Sequence, residues 1–565
     1  MSPLSAAEAT ARLIAPGQPL EVVEETVGGI RMRVWKNAPD SLRSVLELSR
    51  GHGEATFLVY EDERMSFEEH YRAAARLARH LVGELGVAKG DRVALAMRNY
   101  PEWPVAFWAA AASGAVVVPL NAWWTGSELA YGLSDSGAKV LVADQERVGR
   151  LRPHYPELGL DAVLVARPEG PLQGPEVPLE EALGGDDTSL PEVEVGPDDD
   201  ATIFYTSGTT GRPKGAVGTH RNICTNLMSL LFVAQRGALQ AAGPSGQPPP
   251  SSGRQNSYLL SVPLFHATGC HSILVGNTAA GGKLVMMHRW DPERALELIE
   301  REKVTVFGGV PAMVWEVLNS PEFPKRDTSS ISSIAYGGAP APPELVRRIK
   351  QHFPTGVPSN GYGLTETSSV TTMNVGDDYV RKPDSVGPPV PVVELKLVSE
   401  SGQEVAPGAG VGELWVKGPN VVRGYWNQPE ATAQTFTDGW LHTGDLAEID
   451  EEGFVYIVDR AKDMLIRGGE NVYGVEVEGV LFEHPDVAEA AVIGVPHPVL
   501  GEEVGAVVVL RPGRSADAAE IRRHVGERLA AFKVPSHVWF LDQPLPRNPA
   551  GKVLKRELRQ RLLGS

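Results

Sequence analysis

From its start to about residue 445, this chain alternates helix-period patterns with short β-branched runs. Residues 66–86 (SFEEHYRAAARLARHLVGELG) repeat apolar side chains at three- and four-residue spacing and end near Gly86, which predicts a helix. Residues 92–97 (RVALAM) read as a strand, 127–136 as a helix and 140–143 as the next strand. Strand–helix–strand alternation means parallel sheets covered by helices. The most apolar stretch, 103–120 (WPVAFWAAAASGAVVVPL), is broken by Ser113, Gly114 and Pro119. It predicts a buried helix followed by a buried strand, and no membrane span. Trp123 and Trp124 just beyond it read as core packing. Residues 337–343 (GGAPAPP) form a turn feeding a helix at 344–351.

After about Gly412 the pattern shortens. ELWV at 413–416 and FVYIV at 454–458 read as strands of a smaller sheet, and 476–483, 490–495, 504–510 and 516–529 follow as helix, strand, strand, helix. These describe an α+β unit of about 100 residues. The charged segment DRAKD at 459–463 marks its boundary. The Gly-, Pro-, Ser- and Gln-rich stretch at 236–257 reads as a surface loop.

Length and charge limit function. At 565 residues, the chain supports about three to five packing units. A formal charge of −18 argues against coating nucleic acid or an anionic membrane, although local donors can still hold an anionic ligand. Two cysteines, Cys224 and Cys270, exclude a disulfide scaffold and a CxxC metal site, and point to a reducing cytoplasm. The first residues have no apolar core behind a basic start, so no signal peptide is expected.

The chemistry begins at 205–216, YTSGTTGRPKGA, directly after a strand at 201–204. Thr206, Ser207, Thr209 and Thr210 supply hydroxyls, and Gly208, Gly211 and Gly215 let backbone N–H groups turn inward around phosphate oxygens. Lys214 adds a positive charge. The spacing is not that of a Walker A loop.

This string resembles the phosphate-binding signature of the adenylate-forming superfamily, which contains acyl-CoA synthetases, peptide-synthetase adenylation domains and luciferases. Five further motifs stand in that family's order: YGGAP at 336–340, NGYGLTE at 360–366, WLHTGD at 440–445, DRAKDMLIRGGENVYGVEVE at 459–478 and PRNPAGK at 546–552. Alone, some are weak; GGAP is equally a plain turn, and a TE pair is equally a helix cap.

The resemblance implies a role for each. Thr210 and Glu366 hold Mg²⁺ on the phosphates of ATP, and Thr365 contacts phosphate. Adenine lies against Gly338, Ala339, Pro340 and the ring of Tyr362, within the frame of Asn360, Gly361 and Gly363. Asp445 accepts the ribose hydroxyls and Arg460 contacts ribose or α-phosphate. Lys462 is the hinge, Gly468 and Gly469 close on the pantetheine tunnel of CoA, and Lys552 is the mobile catalytic lysine. His266, in PLFH, stands near the acyl pocket and the incoming thiol, with Ala267, Gly269 and Gly337 beside it; several of these residues are small, which suggests a roomy pocket. The family's usual proline after NVY is Gly474 here, which loosens that turn.

The implied fold is α/β: a large N-terminal domain (1–461) of helix-covered, mostly parallel sheets plus a β-barrel-like part, and a small mobile α+β C-terminal domain (462–565), hinged near 459–463. The implied reaction joins a fatty or aryl carboxylic acid to ATP as an acyl adenylate, releasing pyrophosphate, and then to the CoA thiol, releasing AMP. Transfer to a carrier protein or another nucleophile is the alternative, and a non-catalytic nucleotide-binding homologue is a third reading. ATP, Mg²⁺, CoA and the acid are the expected ligands, with no nucleic acid, in the cytoplasm. A homo-oligomer is left open.

Overall fold

A computed structural model describes residues 4–206, 212–242, 254–339, 341–461, 463–467, 470–548 and 551–564. Among these residues the strands form one two-stranded ribbon and four larger sheets. The first runs, edge to edge, Lys214–Thr219, Asp200–Thr206, Val116–Pro119, Arg92–Ala96, Val140–Asp144, Ala162–Ala166, Glu176–Pro178. It is parallel except at the Lys214–Thr219 edge. Val140–Asp144 and Ala162–Ala166 are buried along their whole length, as strands covered on both faces must be.

The second sheet runs Thr372–Val375, Val357–Tyr362, Ser333–Gly337, Val306–Gly309, Ser257–Leu260, Lys283–Met286, Thr56–Tyr60, Glu63–Ser66. Its centre is parallel and both edge strands are antiparallel. The third is antiparallel and carries Glu394–Val398, Gly412–Lys417, Trp440–Ile449 and Val455–Arg460. The expected β-barrel-like part has no residues assigned to it; this antiparallel sheet of the large unit is its counterpart. Among the described residues its strand order ends in the two-residue strands Glu404–Val405 and Phe436–Thr437, with Val455–Arg460 paired to Trp440–Ile449 beside that path. The fourth contains Leu465–Arg467, Glu470–Val472, Val487–His497, Gly501–Leu510 and His537–Phe540, covered by the helices Gly474–Phe482 and Ala518–Gly526.

Local chemistry starts the elements where the sequence suggests. Helix Phe67–Gly83 begins with a capping box: Ser66 Oγ accepts from Glu69 N at 3.1 Å, and Glu69 Oε2 accepts from Ser66 N at 2.7 Å. Helix Glu102–Ala112 is apolar all round, and every residue after Glu102 is buried. Trp103, Phe107 and Trp108 are fully buried in a core that joins both parallel sheets. Each indole there gains roughly 4–6 kcal/mol from the area it removes from water. The indole N–H groups of Trp103 and Trp108 have no partner among the described residues, at about 1–3 kcal/mol each, so packing outweighs the loss. Trp124 packs edge-on to Tyr205 with ring centroids 5.9 Å apart. Trp123 departs from the core-packing expectation. It is 46% exposed, because its backbone turns outward on Asn121, and the Arg98 guanidinium covers its ring at 5.1 Å. Among the described residues no helix is long and apolar enough to cross a membrane.

Candidate active site

The ends of neighbouring strands gather the site. Strands Val306–Gly309, Ser333–Gly337 and Val357–Tyr362 are parallel neighbours, and Gly337 pairs with Gly361. Their C-terminal ends release Val310, Gly338 and the segment Gly363–Glu366 along one edge, where ligands of open α/β sheets bind.

The motif after Tyr205 is flanked by the antiparallel strands Asp200–Thr206 and Lys214–Thr219, with Thr206 paired to Lys214. Ser207, Gly208, Thr209, Thr210 and Gly211 lie outside the described residues, as do Pro340, Lys462, Gly468 and Gly469. The flanks of the loop are anchored. Tyr205 donates to Asp135 Oδ2 at 2.7 Å, Tyr131 donates to the Pro213 carbonyl at 3.0 Å, and Arg212 covers the Tyr131 ring at 5.2 Å.

Glu366 sits in a single 3-10 turn, Thr365–Thr367, after strand Val357–Tyr362. Two non-glycine residues with positive φ follow, Ser368 (54°) and Ser369 (104°). Such backbone costs about 1–3 kcal/mol per residue and persists only where the surroundings hold it. Asn420 Nδ2 donates to the Thr367 and Val370 carbonyls at 3.2 Å, Val370 N donates to Asn226 Oδ1 at 3.0 Å, and Ser272 Oγ donates to Ser369 Oγ at 2.8 Å. A Cβ on Gly363 would overlap the Ser369 carbonyl, so only glycine closes this turn. Tyr425 donates to Glu366 Oε1 at 2.8 Å, and Lys214 Nζ lies 5.0 Å from the centroid of the Tyr425 ring. Tyr425, Asn420 and Asn226 carried no signal in the motifs.

The second cluster joins Tyr362, Asp445 and Arg460. Asp445 and Arg460 face each other across strands Trp440–Ile449 and Val455–Arg460. Arg460 Nε lies 3.0 Å from Asp445 Oδ1, and Tyr362 donates to Asp445 Oδ2 at 2.6 Å. Burial first, and the Asp445 charge second, hold the Tyr362 phenol far above its usual range, so it remains a donor. Asp445 is 2% exposed. A carboxylate has about four lone-pair sites, so two remain for further hydroxyl donors. Asn360 is buried within its strand, opposite Asn374.

Smallness at the expected acyl pocket answers to packing at two positions. A Cβ on Gly269 would overlap the Pro263 carbonyl, and one on Gly337 would overlap the Gly361 carbonyl. Gly338, with φ +74°, has open space where a Cβ would stand, and its turn continues into Ala339. Ala267 is buried beside the π-helical turn Thr268–Leu274; such turns recur at functional sites. Burial lowers the His266 imidazole to about 4, so it is neutral at pH 7, and its Nε2 is buried without a hydrogen-bond partner among the described residues.

Lys552 lies in a tight turn. Asn548 Oδ1 accepts from Lys552 N at 2.9 Å, Asn548 N donates to the Lys552 carbonyl at 2.8 Å, and Arg547 pairs with Val553. Arg547 braces it, reaching the Gly551 carbonyl at 2.8 Å and Glu489 at 2.7 Å. Gly551, with φ +80°, rests on Val310, where a Cβ would come within 2.5 Å of Cγ2. The turn that carries Lys552 is thereby seated on the same strand-end edge as Gly338 and Glu366.

Gly474 is not loose. It is buried at the start of helix Gly474–Phe482, and its N–H donates to Asp459 Oδ2 at 2.6 Å.

Comparisons with known proteins show the family. A family model described as AMP-binding enzyme matches residues 47–426, and one described as AMP-binding enzyme C-terminal domain matches residues 476–552. A feruloyl-CoA synthase of Amycolatopsis sp is 38% identical over 507 residues, covering 90% of this chain and 96% of that protein. A long-chain-fatty-acid–CoA ligase of Mycobacterium tuberculosis is 36% identical over 506 residues, covering 88% and 93%. The solved o-succinylbenzoate CoA synthetase of Bacillus subtilis, in complex with its acyl-adenylate intermediate, superposes with a TM-score of 0.76 at 31% identity, covering 92% of this chain and 98% of that one.

Proposed function

Since the chain belongs to the AMP-binding enzyme family and is an AMP-forming acyl-CoA synthetase, we propose how its residues divide the work. The units are residues 1–461 and 462–565, hinged near 459–463. In the first half-reaction a carboxylate oxygen of a fatty or aryl acid attacks the α-phosphorus of ATP, and pyrophosphate leaves. In the second the CoA sulfur attacks the acyl carbonyl, and AMP leaves.

Lys552 stabilises the negative charge that gathers on the phosphoryl oxygens in the first step. Such a donor is worth about 2.7–4 kcal/mol, or roughly 10²–10³ in rate. The observation that carries this role is the seat of the Lys552 turn on Val310, at the edge where Gly338 and Glu366 emerge. Lys214 and the loop from Thr206 hold phosphate oxygens. Asp445, oriented by Arg460 and Tyr362, takes the ribose hydroxyls. His266, neutral, lines the acyl group and donates no charge.

Glu366 with Thr210 is the site for Mg²⁺. One carboxylate fits this ion, which keeps waters and is shared with substrate phosphates. The Tyr425 hydroxyl on Oε1 orients the carboxylate. When bound, the ion neutralises phosphate charge. The two cysteines, both buried and unlinked, suit a cytoplasmic setting.

The test is mass spectrometry of the purified protein with MgATP and pooled carboxylic acids, with and without CoA. An acyl-CoA that forms only when CoA is present supports the reading and names the acid. An acyl-AMP that accumulates and is not consumed by CoA contradicts CoA as the acceptor.

A further inference from the structure

Proline is the favoured residue at the first position of a helix, because its missing N–H is not required there. Gly474 opens helix Gly474–Phe482, and here the N–H is used. It donates at 2.6 Å to Oδ2 of Asp459, a residue of strand Val455–Arg460 in the third sheet. The other oxygen of Asp459 accepts from Arg460 N at 2.7 Å, and the side chain is buried. Lys555 closes the cluster. Its Nζ lies 2.7 Å from Glu478 Oε1, and a Cβ on Gly474 would stand 3.1 Å from that Nζ and 3.5 Å from Asp459 Oδ2. Glu478 is itself fixed by the N–H of Val492, at 2.7 Å. One carboxylate of the third sheet thus takes a backbone donor of the fourth-sheet unit and feels the charge of that unit's Lys555 ammonium, which pairs with Glu478. Burial works against the charged form of both groups; at Lys555 the carboxylates Glu478 and Asp459 outweigh it, while Asp459 stays above its usual range.

We propose that Asp459, Gly474 and Lys555 form a latch across the segment joining the two units. It holds the small unit in the arrangement that seats the Lys552 turn on Val310, and so favours adenylation over thioester formation. The latch rests on the two-half-reaction reading above. None of the three residues is assigned a contact with acid, ATP or CoA; they are positioning residues. Turning the small unit about 459–463 separates Gly474 from Asp459 and leaves a buried carboxylate short of a donor, which is costly. A proline at 474 has no N–H to donate, and its ring carbon would occupy the hydrogen's place against Oδ2.

The experiment compares Gly474→Pro and Lys555→Met with wild type and with Gly474→Ala, which keeps the N–H. Two readouts are taken. One is the ratio of the adenylation rate to the rate of thioester formation from supplied acyl-AMP. The other is the distance distribution, without substrates, between fluorophores attached through Ser401→Cys and Ser515→Cys, both exposed positions. The latch predicts that Gly474→Pro and Lys555→Met lower the ratio roughly tenfold and shift or broaden the distances, with Gly474→Ala close to wild type. Equal loss of both half-reactions, unchanged distances, or an alanine variant that behaves like the proline one overturns it. A wild type that forms no thioester overturns the functional reading instead, and the distances still decide the latch.

Discussion

Tyr425 and Glu366 are joined by a hydrogen bond of 2.8 Å from the phenol to Oε1, and the same phenol ring lies beneath Lys214 Nζ at 5.0 Å. This contact ties the carboxylate assigned to Mg²⁺ to the lysine of the phosphate loop. Tyr425→Phe removes only the hydroxyl. A hydrogen bond to a charged group is worth about 1.5–3 kcal/mol, so adenylation should fall roughly ten- to a hundredfold and need more Mg²⁺ for half its rate. Thioester formation from supplied acyl-AMP should be unaffected. Mg²⁺ titrations of both half-reactions check this; an unchanged titration in the variant removes Tyr425 from the account.

Gly551→Ala places a methyl group 2.5 Å from Val310 Cγ2, at a backbone position with φ +80°. The turn carrying Lys552 must then lift from its seat. Adenylation should fall by tenfold or more, with the thioester step spared. Adding Val310→Ala removes the opposing methyl groups and should restore part of the loss, leaving a backbone penalty of about 1 kcal/mol. No rescue in the double variant would mean that the seat on Val310 does not position Lys552.

Three buried histidines make the fold sensitive to acid. Burial lowers His220 and His271 to about 4 and His70 to about 3. His220 Nδ1 accepts from Leu42 N at 3.1 Å, which requires an unprotonated nitrogen. A lowered pKa means that the unfolded chain binds the proton first. The stabilisation is therefore complete above about pH 6.5 and lost as pH falls toward 4, at about 1.4 kcal/mol per unit for each group. Urea unfolding between pH 7.5 and 4.5 should show this slope, and His220→Gln should reduce it by one group's share, leaving those of His271 and His70. A stability constant across that range contradicts the assignment.

Most of the fold was legible because its signals are local. The apolar period of residues 66–86 predicts a helix there, and the structure places it at Phe67–Gly83, capped by Ser66 and Glu69. The breaks at Ser113 and Gly114 divide one apolar run into the observed helix Glu102–Ala112 and strand Val116–Pro119. The family followed from motif strings spread along the chain. What escaped the sequence lies in contacts between distant segments. Nothing near Tyr425 indicates Glu366, and nothing near Gly551 indicates Val310. Gly269 and Gly337 suggested a roomy pocket, yet the close approach of a backbone carbonyl explains each. Gly474 suggested looseness because its partner, Asp459, is on another sheet. Trp123 suggested a core residue because hydrophobicity alone does not reveal an outward turn.

The division of labour is tested most directly by Lys552→Ala, assayed in each half-reaction. The account predicts that acyl-AMP formation from acid and MgATP falls roughly 10²–10³-fold. Thioester formation from supplied acyl-AMP and CoA should stay near the wild-type rate. Equal loss in both half-reactions, or full adenylation in the variant, would contradict it.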